Sequence, residues 1–230
     1  MRSFFALWPS FFLLLSLAFL SPAFSQAPPS YAGWQAFERK VRDGAISYQE
    51  GEKAVAEWAE RLERDFPHTQ SRKDTTFPLQ SYSVKDVGGK NGDGYKPEGY
   101  RFLDGNKHRG HPAQDIFVRD RDQDGFDDLT GKRVHVLALA EGTVLSTFSD
   151  WNKTDPSCEI RGGNYVWIYH PALRAFSYYA HLETIFVRPG DRIEGGKPIA
   201  TLGRSGKKAC LPRSPTHLHL MISPPAIWNP

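Results

Sequence analysis

The sequence holds little charge of one sign. Its 29 Lys and Arg face 26 Asp and Glu, a formal net charge of +3 over 230 residues. No basic stripe of the kind a nucleic-acid binder presents stands out, so that class of partner is excluded. Cysteine is scarce, at two residues, and no internal repeat of fixed period is visible. With 24% charged residues, 20 glycines and 17 prolines, the chain is neither a disordered acidic polymer nor collagen-like. The length fits one generous domain, or one domain with a small appendage. What remains is a soluble, globular, loop-rich protein.

Residues 1–25 read as a targeting segment. Arg2 gives a positive start, Phe4 to Leu20 form an uncharged run rich in Phe and Leu, and Ala23-Phe24-Ser25 places small residues where a signal peptidase reads them. An uncleaved anchor is the alternative, since the run approaches the ~18 residues a span needs; Pro9, Pro22 and the small-residue site favour cleavage after Ser25. No Cys follows the run, so a bacterial lipoprotein anchor has no attachment point. The mature chain is then exported, periplasmic or secreted, with no stable membrane insertion. In an oxidising compartment Cys158 and Cys210 either pair or remain buried thiols. A pair closing about 50 residues would constrain the unfolded chain by roughly 3–4 kcal/mol.

Residues 26–75 form a helical segment and linker. Trp34, Phe37 and Val41 fall on one helical face, and Asp43-Gly44 breaks the pattern. Ser47 and Glu50 make a capping box before a second stripe of Val55, Trp58, Leu62 and Phe66. Each helix must bury its stripe, against its partner or the rest of the protein. This hairpin either covers a functional groove and keeps it latent, or packs on the back of the body. From residue 76 to 230 strand signals dominate. The runs 134–139, 142–148, 165–169, 175–180, 185–187, 199–202 and 217–222 are rich in β-branched and aromatic residues, with Gly, Pro and Asp/Asn between them. The fold class is mainly β, a sandwich or barrel-like sheet pair behind a small helical front.

Histidine placement carries the chemistry. HPAQD sets Asp115 four residues after His111, and THLHL sets His217 and His219 two apart, on one face of a strand. Two imidazoles and a carboxylate that converge suit Zn²⁺ with a position left for water. HxH alone is weak evidence. Its joint occurrence with HxxxD and a third segment bearing His181 makes the metal reading the stronger one.

The run of motifs from about 107 to 222, HPAQD, GGNYVWIYH, YYAHL, VRPGDRIEGGKPIATLGRSG and THLHL, resembles the lysostaphin/LytM-type zinc metallopeptidases of peptidase family M23. That resemblance implies a two-sheet antiparallel β core and a loop-lined groove. It implies hydrolysis of peptide bonds in bacterial peptidoglycan, with one Zn²⁺ per chain. By matched position, His111, Asp115 and His219 are the implied zinc ligands, and His181 and His217 the catalytic pair. Leu220 and Met221 depart from the aromatic and acid that follow the last His in many members. The expected partner is a peptidoglycan peptide, met by a monomer.

A second constellation, DRDQDGFDD, places Asp120, Asp122, Asp124 and Asp128 at the first, third, fifth and ninth positions of a calcium-loop pattern, with Gly125 at the sixth. Gly131 stands where the bidentate acid belongs. The loop is expected either to hold structural Ca²⁺ or to be a solvated acidic turn. Two other readings compete with the peptidase: a non-catalytic relative that binds wall or regulates another hydrolase, and a calcium-dependent adhesive module. The second leaves the five His and Asp positions unexplained.

Overall fold

The computed structural model describes residues 29–66, 74–88, 94–154 and 159–224. The expected signal segment, residues 1–25, lies outside these residues. So does Cys158, and with it the expected disulfide. No helix among the described residues is long and apolar enough to cross a membrane.

Helix α1 (Pro29–Arg42) ends in a Schellman arrangement, with Gly44 at φ 67°. There the Gly44 and Ala45 amides donate to the Val41 and Lys40 carbonyls at 3.1 and 2.7 Å. The capping box forms as expected at the start of α2 (Tyr48–Asp65), where Ser47 and Glu50 satisfy each other's backbone amides.

Eight antiparallel strands follow among the described residues: β1 (Gln114–Phe117), β2 (His135–Leu137), β3 (Gly142–Phe148), β4 (Asn164–His170), β5 (Ala175–Ile185), β6 (Arg192–Ile193), β7 (Pro198–Leu202) and β8 (His217–Ser223). The main sheet runs β1-β8-β5-β4-β3-β6. Strand β7 pairs with the far end of β5 and with β2, making a second layer joined to the first through β5. The mainly β antiparallel architecture is the expected one.

Strand alternation divides the core. Val144, Val166, Ile168, Leu182, Leu218 and their neighbours face the β2–β7 layer in a largely aliphatic cluster. On the other face, Tyr165, Trp167, Tyr169, Phe176 and Met221 meet both helices. Trp34 of α1 is fully buried and stacks on Phe176, ring centroids 5.7 Å apart. Phe66 meets Tyr169 at 5.8 Å, and Phe102 joins Phe37 to Trp167. Gly105 permits a close approach to α1, since a Cβ there would lie 2.0 Å from the Val41 carbonyl oxygen.

One expected boundary is corrected. Residues 175–180 and 185 belong to a single strand, β5, which continues through a bulge at His181 rather than stopping before it.

Candidate metal centre

The three expected zinc-ligand positions are brought together by register and by one loop contact. Asp115 on β1 lies directly opposite His219 on β8, and His219 opposite Ala180 on β5. Such cross-strand neighbours share a face. His111 precedes β1 and is held by reciprocal backbone hydrogen bonds with Lys96, at 2.6 and 2.8 Å. The result is a compact donor set. His111 Nε2 lies 3.2 Å from both His219 Nδ1 and Asp115 Oδ1, and His219 Nδ1 lies 3.1 Å from Asp115 Oδ1. An ion with bonds of about 2.0–2.1 Å in tetrahedral geometry needs donors about 3.3 Å apart, so this set fits Zn²⁺.

Main-chain carbonyls orient the other ring nitrogens. Nδ1 of His111 faces the Gly94 oxygen at 2.7 Å, that of His217 the Pro215 oxygen at 2.7 Å, and that of His181 the Ser205 oxygen at 2.8 Å. Donation from each Nδ1–H leaves the Nε2 lone pair for the site. The rings of His181 and His217 are 4.9 Å apart, and His217 Nε2 lies 3.7 Å from Asp115 Oδ1.

His181 holds φ 66°, a left-handed backbone uncommon for a residue with a side chain. The strand bulges there because its neighbours bind it on both sides: its amide donates to the Gly162 carbonyl, and its own carbonyl accepts from the Gly203 amide. Gly206 lets the loop after β7 close on the imidazole, since a Cβ would sit 3.0 Å from His181 Nδ1.

Burial sets much of the electrostatics. It pushes the His181 pKa well down, helped by the charges of His217 and His219, and lowers that of His219 against the pull of Asp115. The hydrogen bond to Asp115 raises the His111 pKa. Burial opposes ionisation of Asp115 itself, but His111, His219 and His217 outweigh it and hold the carboxyl far below its usual range.

These residues line a cleft of about 310 Å³ whose floor continues along Tyr178, Trp167 and Tyr165. Lys208, Ala209 and Ser214 form part of its wall, so the 207–215 loop borders the cleft. At the far end stand Glu38, Val41 and Arg42 of α1. The Tyr165 hydroxyl donates to the Glu38 carboxylate, 2.9 Å from either oxygen, and accepts from Arg42 at 3.2 Å. Burial pushes the Glu38 pKa up to about 7. The helices therefore pack on the face that bears His217 and His219, not on the back. Of the two strand tyrosines, Tyr178 lies on this face, 6.2 Å from the His219 ring. Tyr179 points to the aliphatic side, its hydroxyl accepting from the Leu139 amide.

The acidic constellation is assembled in part. Carboxylate oxygens of Asp120, Asp122 and Asp124 lie within 4.8 Å of one another. Asp128 does not join them. Both its oxygens accept from the Arg121 amide at 3.3 Å, which turns the carboxylate to the loop backbone.

Sequence reasoning passed over three groups that hold the site. Gly94, Ser205 and Pro215 act through backbone oxygens, which leave no mark on residue type. Glu38 was missed as well, because it belongs to a helix read only for its apolar stripe.

Residues 121–226 match the sequence profile of peptidase family M23. His111 and Asp115 lie just ahead of the matched range. A search of curated proteins returns no match. Among solved structures, the chain is similar to a zinc-containing peptidase from Vibrio cholerae, at 20% identity and a TM-score of 0.36, over 57% of this chain and 32% of that one. It is similar to lysostaphin from Staphylococcus simulans, at 19% identity and a TM-score of 0.34, over 61% and 47%. The SpoIIIAH–SpoIIQ complex matches at 18% identity and a TM-score of 0.41, over 65% and 91%. The chain thus spans about a third of the first of these and under half of the second.

Proposed function

We infer that this chain is an exported zinc endopeptidase that hydrolyses peptide bonds of bacterial peptidoglycan. The observation that carries this reading is the donor set of His111, Asp115 and His219, with every pair of donor atoms 3.1–3.2 Å apart at a cleft also lined by two further imidazoles. His111, Asp115 and His219 would hold the ion. Two neutral imidazoles and one carboxylate leave a dication with net positive charge. Zinc bound there would supply Lewis acidity, polarising the scissile carbonyl and making water a better nucleophile.

The chain's own groups do the rest. His181 and His217 each present Nε2 beside that centre, with Nδ1 held by a backbone oxygen. One takes the proton of the attacking water and the other hydrogen-bonds the developing oxyanion; a proton then passes to the leaving amine. Both rings are oriented before substrate arrives, so little reorganisation is needed in the transition state. The aromatic floor of Tyr178, Trp167 and Tyr165 offers flat apolar surface to an extended peptide. Helix α1 closes the cleft at its far end and limits how much peptide lies on that side.

The test is mass spectrometry of purified peptidoglycan digested by zinc-loaded residues 26–230, with His217→Ala beside it. New peptide termini in the wild-type digest alone are the expected result, and they identify the bond. An unchanged wall, together with tight binding to wall fragments, would replace the peptidase with a binding or regulatory role.

A further inference from the structure

Two buried acids in the loop between β1 and β2 are treated differently by their surroundings. Asp127 is fully provided for: Arg119 lies 3.1 Å from it, the Tyr82 hydroxyl donates to it, and the Leu129 and Thr130 amides donate at 3.1 and 2.9 Å. Asp120, only 5% exposed, is not. Its Oδ2 accepts from Thr216 Oγ1 at 2.6 Å and from the Gly125 amide at 3.1 Å, while its Oδ1 is buried with no partner. An unmet buried carboxylate oxygen is expensive, and a bound cation removes that expense.

Asp122 and Asp124 bring their carboxylates to the same place, within 4.8 Å of that of Asp120. Their hydrogen bonds are local: one oxygen of Asp122 accepts from the Asp124 amide at 3.4 Å, and one of Asp124 from the Phe126 amide at 2.8 Å. The nearby guanidinium groups are directed elsewhere. Arg204 donates to Gln123 Oε1 and the Leu211 carbonyl, and Arg133 lies over the Phe126 ring. Three carboxylates at alternate positions, with no nitrogen or sulfur donor among them, form a hard oxygen set that suits Ca²⁺ over Zn²⁺.

The geometry points to a structural calcium site formed by Asp120, Asp122 and Asp124, separate from the His111–Asp115–His219 centre. Its purpose follows from Asp120. The Thr216 hydroxyl that donates to Asp120 also accepts from Arg204 at 2.7 Å, the Thr216 carbonyl accepts from the Val118 amide at 3.1 Å, and the next residue is His217. Calcium at this loop fixes the entry to β8 and so the position of His217. With three carboxylates and no twelfth-position acid, the affinity belongs with extracellular modules, Kd about 10⁻⁴–10⁻³ M.

The experiment titrates Ca²⁺ and, separately, Mg²⁺ into zinc-loaded residues 26–230, following heat by calorimetry and unfolding by thermal melting. Asp122→Asn/Asp124→Asn is the comparison, because both side chains are exposed and the variant should fold. We expect one calcium site per chain and a Tm rise of about 5 °C or more when calcium exceeds Kd a hundredfold. Mg²⁺ should give a smaller shift, and the double variant none, with its zinc content unchanged. In calcium-free buffer the variant should melt no lower than wild type, since it relieves repulsion among the three acids. A wild-type protein with neither heat nor shift up to 10⁻¹ M calcium, on the order of a hundred times the weaker Kd, overturns the proposal. So does a calcium shift that survives in the variant.

Discussion

The face of the main sheet turned to the β2–β7 layer is filled mainly by Val, Ile, Leu and Ala, whereas the face turned to the helices carries Tyr165, Trp167, Tyr169, Phe176 and the histidines. Aliphatic side chains interlock and leave neither polar atoms nor space. Aromatic rings provide large flat walls, and the tyrosines add a polar tip. A cleft can therefore persist on the second face beside a tightly packed helical hairpin. One sheet separates what holds the protein together from what gives it chemistry.

That division predicts that substitutions on the two faces fail differently. His219→Ala should have the largest effect, lowering turnover of wall peptides by about 10³-fold or more through loss of the metal that makes the water reactive. His217→Ala should reduce turnover by about 10²–10⁴-fold as a lost proton-transfer or oxyanion contact, with the same thermal midpoint as wild type within a few degrees. Kinetics on released peptides would measure both. On the aliphatic face, Ile168→Ala should remove about 2–4 kcal/mol of stability by denaturant unfolding, with turnover per folded molecule unchanged. A large loss of turnover in folded Ile168→Ala would break the comparison.

Glu38 tests the aromatic side more finely. Its folded pKa of about 7 lies above the ordinary carboxylic value, so the folded state favours the protonated acid. That contribution is full below about pH 4.5 and is lost as pH rises through about 7. Between pH 5 and 8 wild type should lose about 2 kcal/mol relative to Glu38→Gln, which keeps a partner for Tyr165 and does not titrate. Urea melts across that range would show parallel curves if Glu38 were not buried as described.

The sequence is most informative where periodicity and residue chemistry coincide. The capping box at Ser47 and Glu50, the strand 142–148 and the shared face of His217 and His219 all follow from local rules and appear in the structure. Strands β1 and β6 have four and two residues, too short to present an alternating pattern. The course of β5 past His181 depends on Gly162, Gly203 and Gly206 closing around it from other segments. The side of the sheet the helices cover was also undetermined, because an apolar stripe states that it must be buried and not by what. At the acidic loop, spacing puts Asp128 with its neighbours, but the Arg121 amide turns it away. The candidate metal ligands are thus legible in side chains, while the backbone oxygens of Gly94, Ser205 and Pro215 that aim the imidazoles are properties of the fold.

The central claim is that five converging residues divide into three that hold zinc and two that act beside it. Elemental analysis of the zinc-to-protein ratio, on wild type, His219→Ala and His217→Ala prepared in parallel, tests that division most directly. The account predicts about one zinc per chain for wild type and for His217→Ala, and close to none for His219→Ala. Zinc retained by His219→Ala, or lost from His217→Ala, would contradict it.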